Sequence, residues 1–137
     1  LRMARARGVA HAGVMSVSCV RVHDLVSGRA DPGDAYVVLV DRLWPRGVRK
    51  DAFRHDEWCT DVAPSPELRR EFHGGELDFD GFAERYRAEL AGPPAAGAVE
   101  RLVARAAGGE LALAYASRDT ERNHAAVLAD VILDASR

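Results

Sequence analysis

Lysine is nearly absent from this sequence. Lys50 is the only one in 137 residues, although Lys and Arg together number 19, so the positive charge is carried almost wholly by arginine. That skew is compositional and is given no functional weight. An excess of either sign is lacking too. The formal net charge is −2, which excludes a molecule built as a whole to coat nucleic acid or an anionic membrane surface. Cysteine is scarce: Cys19 and Cys59 form neither a CxxC pair nor a zinc-type spacing, and the expectation is two reduced thiols in a cytoplasmic protein. No apolar run reaches the length of a membrane span, so no membrane association is expected. There is no GxGxxG, no GxxxxGK[ST] and no HExxH. "ELDFDGF" imitates part of a calcium loop, but placing Glu76, Asp78, Asp80 and Gly81 at ligand positions puts Arg87 where the bidentate acid belongs. No metal and no cofactor is therefore assigned, and Asp80 is read as a helix cap.

What remains is an ordinary globular composition, 47% hydrophobic and 29% charged, in a length that suits one domain with a real core. Residues 1–16 are expected to be a disordered tail. The first fourteen, "LRMARARGVAHAGV", show no apolar periodicity; a translation start ahead of Met15 is the other reading, and a targeting peptide is disfavoured because no apolar core follows the charges. Residues 17–137 are expected to form a single domain. The valine-rich stretch 17–23 reads as a first strand, and "SGRADPGD" at 27–34 as a loop. "YVVLV" at 36–40 is unbroken apolar and mostly β-branched, the pattern of a strand covered on both faces in a parallel sheet. "LALAYA" at 111–116 is a second such run. Between them lie three helical patterns. One starts with Ser65 as cap and Pro66 at its first position and places Leu68 and Phe72 on one face. The next begins near Asp80 and carries Phe79, Phe82, Tyr86 and Leu90. The third carries Val99, Leu102, Val103 and Ala106 and stops at Gly108-Gly109. A last helix is expected over residues 120–135, capped by Asp119 or Thr120. The fold class that follows is α/β: a single three-layer domain with a small, mainly parallel sheet flanked by helices.

In sheets of this kind ligands bind beyond the carboxyl ends of the strands. Two dense polar stretches follow the two buried strands. "VDRLWPRG" supplies Asp41, Arg42 and Arg46, stiffened by Trp44-Pro45; arginine's rigid fork of donors suits a carboxylate or phosphate. "YASRDTERNHA" supplies Asp119, Asn123 and His124 near a helix start, where backbone amides favour an anion and a histidine can move a proton near neutral pH. Each stretch also has a plainer reading. Asp41 pairs with an arginine while Trp44 packs in the core; Asp119 caps, Asn123 bonds backbone, and His124 sits at a boundary. If the two strands are neighbours the segments meet, and Asp41, Arg46 and His124 line one cavity. The basic run from Arg42 to Arg54, five basic residues and Asp51, reads as a solvated face. Without aromatic interleaving or a nucleic-acid motif, nucleic acid is not favoured as a partner. Cys59 beside Trp58 reads as a packed thiol.

Several separated segments, "YVVLVDRLWPRG", "DEW", "DVAPSPELRREF", "FAERYRAEL" and "AYASRDTERNHAAVLADVI", resemble the YeaO-like family, domain of unknown function 488, over roughly residues 20–132. The resemblance marks the Asp41–Gly47 segment, Trp58, Arg69, Phe72 and Tyr86, and finally Asp119, Asn123 and His124. Longer relatives carry a Cys-His-Arg triplet at the last helix. Here it is Asn123-His124-Ala125, so neither a thiol nor the final arginine carries over.

The leading expectation is a small α/β protein with a polar, anion-accepting pocket, an enzyme acting on a nucleotide-like or phosphorylated small molecule. Asp41 and His124 are then the catalytic candidates, and Arg42, Arg46, Asp119 and Asn123 the ligand-binding ones. A non-catalytic ligand sensor uses the same groups. An interaction module would use Trp44, Trp58 and the basic run. The expected partner is a small anionic ligand, and no oligomeric state follows from the sequence.

Overall fold

A computed structural model describes residues 16–135. Of the expected tail, only Ser16 falls among them, as the first residue of a strand; the rest lies outside the described residues. The elements in chain order are β1 (Ser16–Arg21), α1 (Val22–Ser27), β2 (Tyr36–Leu39), β3 (Glu57–Trp58), a 3₁₀ turn (Thr60–Val62), α2 (Pro66–His73), α3 (Phe79–Leu90), α4 (Ala95–Ala107), β4 (Glu110–Tyr115) and α5 (His124–Ala135). The strands form one all-parallel sheet in the order β1-β4-β2-β3. This is an α/β domain, as the two unbroken apolar runs imply.

The register explains why those runs are unbroken. Leu111, Leu113 and Tyr115 of β4 point to one face with Val17, Tyr36, Val38 and Val40, where α2 to α5 cover them. Ala112 and Ala114 point to the other face with Val20, Val37 and Leu39, beneath α1 and the loop carrying Trp44, Val48 and Phe53. Both faces are dry, so neither phase of the strand can be polar. The faces differ in thickness. Large side chains and four helices fill one; alanines on the central strand let a short helix and a loop approach the other closely.

Some boundaries differ from expectation, each for a local reason. Residues 22 and 23 belong not to β1 but to α1, which ends at Gly28 with φ of 82°, a left-handed cap that glycine adopts without strain. β-branched Val22 looks strand-like, yet it is the first residue of α1 and is buried in the thin face. β3 is a two-residue edge strand, too short to show a period. The cap of α3 is Asp78, which accepts from the Gly81 amide at 2.8 Å; Asp80 is the second helical residue. The last helix starts at His124, not near residue 120. Ser65 caps α2 as its spacing predicts, accepting from the Leu68 amide at 3.1 Å, and its hydroxyl also donates to Glu89 at 2.6 Å.

Candidate functional site

β2 and β4 are neighbours, and their register pairs Leu39 with Ala114. The two polar segments therefore leave the sheet side by side. After β2 the chain turns toward the thin face; after β4 it turns toward the helical face and α5. A crevice opens where the directions part. It is a cavity of about 320 Å³ with Asp41, Arg42 and Leu43 on one side and Ser117, Arg118, Asn123 and His124 on the other.

Asp41 joins the two sides. Its Oδ2 accepts the Ala116 amide at 3.1 Å, and its Oδ1 lies 2.7 Å from Nε2 of His124. Both side chains are about 15% exposed, so the pair is shielded without being sealed. A carboxylate can only accept, so the contact puts a ring proton on Nε2. The partner of Asp41 is thus this histidine and not an arginine.

Arg42 turns away from Asp41 to the third wall. Its Nε donates to the Pro64 carbonyl at 3.2 Å and its Nη2 to that of Ala63 at 3.1 Å. Those carbonyls lie just before α2 and follow the 3₁₀ turn that Tyr86 anchors by donating its hydroxyl to Val62. Burial pushes the Tyr86 hydroxyl far above the ordinary phenol range, with the Glu89 and Asp41 carboxylates adding to it, so it stays a neutral donor. The third wall continues along α2, where Arg69, Phe72 and His73 share one helical face, and closes on Phe82 of α3. Neither Arg69 nor Arg118 has a side-chain partner among the described residues.

Asn123, buried to 2% exposure, is the residue that starts α5. Its Oδ1 accepts the Ala126 amide at 2.9 Å and its Nδ2 donates to the Asp119 carbonyl at 2.8 Å. It serves as the helix cap, the role expected of Asp119 or Thr120. Asp119 caps no helix; it closes the turn ahead of α5, where its Oδ1 accepts the amides of Glu121 and Arg122, each at 2.9 Å. The Arg122 and Glu121 amides hold its carboxyl below the ordinary aspartate range.

Of the six residues singled out from sequence, Asp41, Arg42, Asn123 and His124 line the cavity, whereas Arg46 and Asp119 do not. Arg46 is exposed because a turn closes at once behind it, with the Val48 amide donating to the Pro45 carbonyl and Gly47 at φ of 78°. The expectation that Asp41, Arg46 and His124 share one cavity therefore holds for the first and last only. The basic run is largely self-satisfied. Arg49 pairs with Asp51, Arg54 with Asp56, and the Lys50 ammonium lies 5.1 Å from the Trp44 ring. Trp44 is half-buried, stacked on Phe53 at 5.6 Å, with its Nε1 donating to the Val48 carbonyl. Two lining arginines are not among the six: Arg69, which the family resemblance marks without giving it a role, and Arg118. The spacing of Arg69, Phe72 and His73 on one face of α2 was the available signal for the first. Arg118 stands in the dense segment itself, one residue before the aspartate that drew attention.

Among the described residues, no three metal-ligating side chains come together, and no helix is long and apolar enough to cross a membrane. The class is thus a small all-parallel α/β domain with an arginine-lined crevice at the carboxyl edge of its sheet. Residues 16–137 match the family described as the inactive DUF488-N3 subclade, and the chain belongs to it, a YeaO-like DUF488 protein. It is 45% identical over 116 residues to the uncharacterised protein YeaO of Escherichia coli, covering 85% of this chain and 96% of that one. It is also 45% identical over 102 residues to the uncharacterised protein Rv3073c of Mycobacterium tuberculosis, covering 74% of this chain and 84% of the relative. No solved structure matches the chain significantly.

Proposed function

We propose that the crevice binds a small anion, phosphate or carboxylate, and that the domain acts as a non-catalytic ligand-binding module. One observation carries this reading. Three arginines, Arg42, Arg69 and Arg118, meet at the cavity, and its single carboxylate is already engaged by an imidazole and an amide. Two of those guanidiniums have no partner among the described residues, and a guanidinium's fork of donors is fitted to the oxygens of such an anion. The amino end of α5, with its positive dipole, lies at the same wall. Binding without turnover is supported by what stands where a nucleophile would be. The position held by cysteine in longer relatives is Asn123 here, and its amide is spent on starting the helix. The description of the subclade as inactive agrees.

The test is a thermal-shift and calorimetric panel of inorganic phosphate and small carboxylates. A ligand present at a hundredfold over its dissociation constant stabilises by about 2.7 kcal/mol. Arg69→Ala is expected to weaken binding at least tenfold, the scale of one charge-assisted hydrogen bond, and to leave the unliganded melting temperature unchanged. Binding undiminished in Arg69→Ala, or no response to any anion, would defeat the reading.

The shielded Asp41–His124 pair supports a second reading, an enzyme in which Nδ1 of His124 moves a proton. Time-dependent product formation that disappears in His124→Gln would favour it over the binding module.

A further inference from the structure

Resting on the anion-binding reading, we infer that the ligand carries a planar aromatic ring beside its anion and that the anion is a phosphate, the chemistry of a mononucleotide. The walls of the crevice divide by chemistry. Arg42, Arg69 and Arg118 supply charge, whereas Leu43, Phe72 and Pro64 supply an apolar surface.

Leu43 is 65% exposed, the most exposed of the large hydrophobic residues described, and it sits on the cavity wall and not on a bare outer face. The fold does not need it there. It belongs to neither hydrophobic core, and its two chain neighbours are held by their own contacts, Arg42 to the Ala63 and Pro64 carbonyls and Trp44 to Phe53. An apolar side chain exposed at the mouth of a cavity marks a surface that an apolar body covers. Phe72 is half-buried on another wall, where its ring stacks on that of Phe82, which also lines the cavity, at 4.5 Å with 23° between planes. Phe82 is fixed in the core, so Phe72 is a supported platform and not a swinging ring. A supported aromatic face accepts a planar ring of any base by stacking. Arg69 precedes Phe72 by one helical turn on the same face, so charge and platform are adjacent, as a phosphate and a base are in one small molecule. Size agrees: about 320 Å³ lies at the small end of ligand sites, room for a mononucleotide and not for a dinucleotide or a polymer.

The choice of phosphate over carboxylate follows from the number of uncommitted cations. Arg42 already donates to two carbonyls, which leaves Arg69 and Arg118 as two positive charges on the wall without side-chain partners among the described residues; a phosphate monoester brings close to two negative charges to match them, a carboxylate only one.

Calorimetry with inorganic phosphate, ribose 5-phosphate, uridine 5′-monophosphate, phenyl phosphate and benzoate separates these features. The expected result is that uridine 5′-monophosphate and phenyl phosphate bind at least about fivefold tighter than ribose 5-phosphate, the low end of one stacked ring. Leu43→Ser removes that increment and keeps the affinity for inorganic phosphate. Because Leu43 is exposed, this variant folds as the parent does. Phe72→Leu, which keeps apolar volume and removes the ring face, acts in the same direction. Equal affinity for ribose 5-phosphate and uridine 5′-monophosphate would overturn the aromatic ring while leaving the anion site standing. Benzoate binding as tightly as phenyl phosphate would overturn the phosphate. Failure of every compound to bind would remove the anion site and this inference with it.

Discussion

At Asp41 both carboxylate oxygens are in use, one by an imidazole from the far end of the chain and one by the amide of Ala116. A side chain so committed aligns His124 and leaves the charge of the cavity to its arginines. Cys59 is the opposite case, a potentially reactive group made inert by where it lies. It is buried at the start of the 3₁₀ turn, and burial, helped by the nearby Glu57 carboxylate, pushes its thiol up. The thiolate is the reacting species, so a raised thiol is a slow one. In a Cys19→Ser variant, whose single thiol is Cys59, a disulfide reagent at neutral pH should label the folded protein far more slowly than the denatured chain. Labelling of the native protein as fast as that of the unfolded one would mean that the thiol is open and activated.

Among the elements, α5 depends most on a single residue. Its inner face is almost continuous apolar surface, with Ala125, Leu128, Ala129 and Ile132 buried on the sheet, so packing fixes where it lies. Packing does not fix where it begins. Asn123 does that, by taking the Ala126 amide and tying its own amide to the turn before it. That start sets the height of His124 against Asp41. Asn123→Ala should cost about 1–2 kcal/mol of stability, the value of a lost helix cap in a buried setting, and should also weaken anion binding because the wall is displaced. Denaturant unfolding and calorimetry on one preparation measure both. A variant with parental stability would show that α5 is positioned without its cap.

For the whole molecule, the controlling fact is the inequality of the two faces. β4, which lies between β1 and β2 in the sheet, presents leucines and a tyrosine to the helices and alanines to the thin layer. Ala114 is fully buried opposite Leu39, and the loop carrying Trp44 and Phe53 lies over that face. Ala114→Leu should therefore cost about 1–3 kcal/mol by overpacking, although leucine suits the same strand one residue earlier. The loop it lifts also carries Leu43 and Arg42, so anion affinity should fall with stability. An unchanged unfolding midpoint would mean that the thin layer can yield and that face thickness does not constrain the site.

Much of this was determined by the sequence alone. The unbroken runs at 36–40 and 111–116 required strands with two dry faces, and Ser65-Pro66 required a helix start, because such patterns are local and answer to burial and capping. Placing the two polar segments at strand ends followed from the same patterns. The tertiary structure decided the rest. That β4 lies beside β2 is a matter of which apolar faces fit together, and no local period records it; only that choice joins Asp41 to His124 across 83 positions. Arg46 and Arg42 look alike in the segment, but a turn after Pro45 sends one outward while the Ala63 and Pro64 carbonyls draw the other in. Arg69 entered the crevice because α2 presents its Arg69–Phe72–His73 face there, an orientation that the packing of Leu68 on the core imposes and the helix by itself does not.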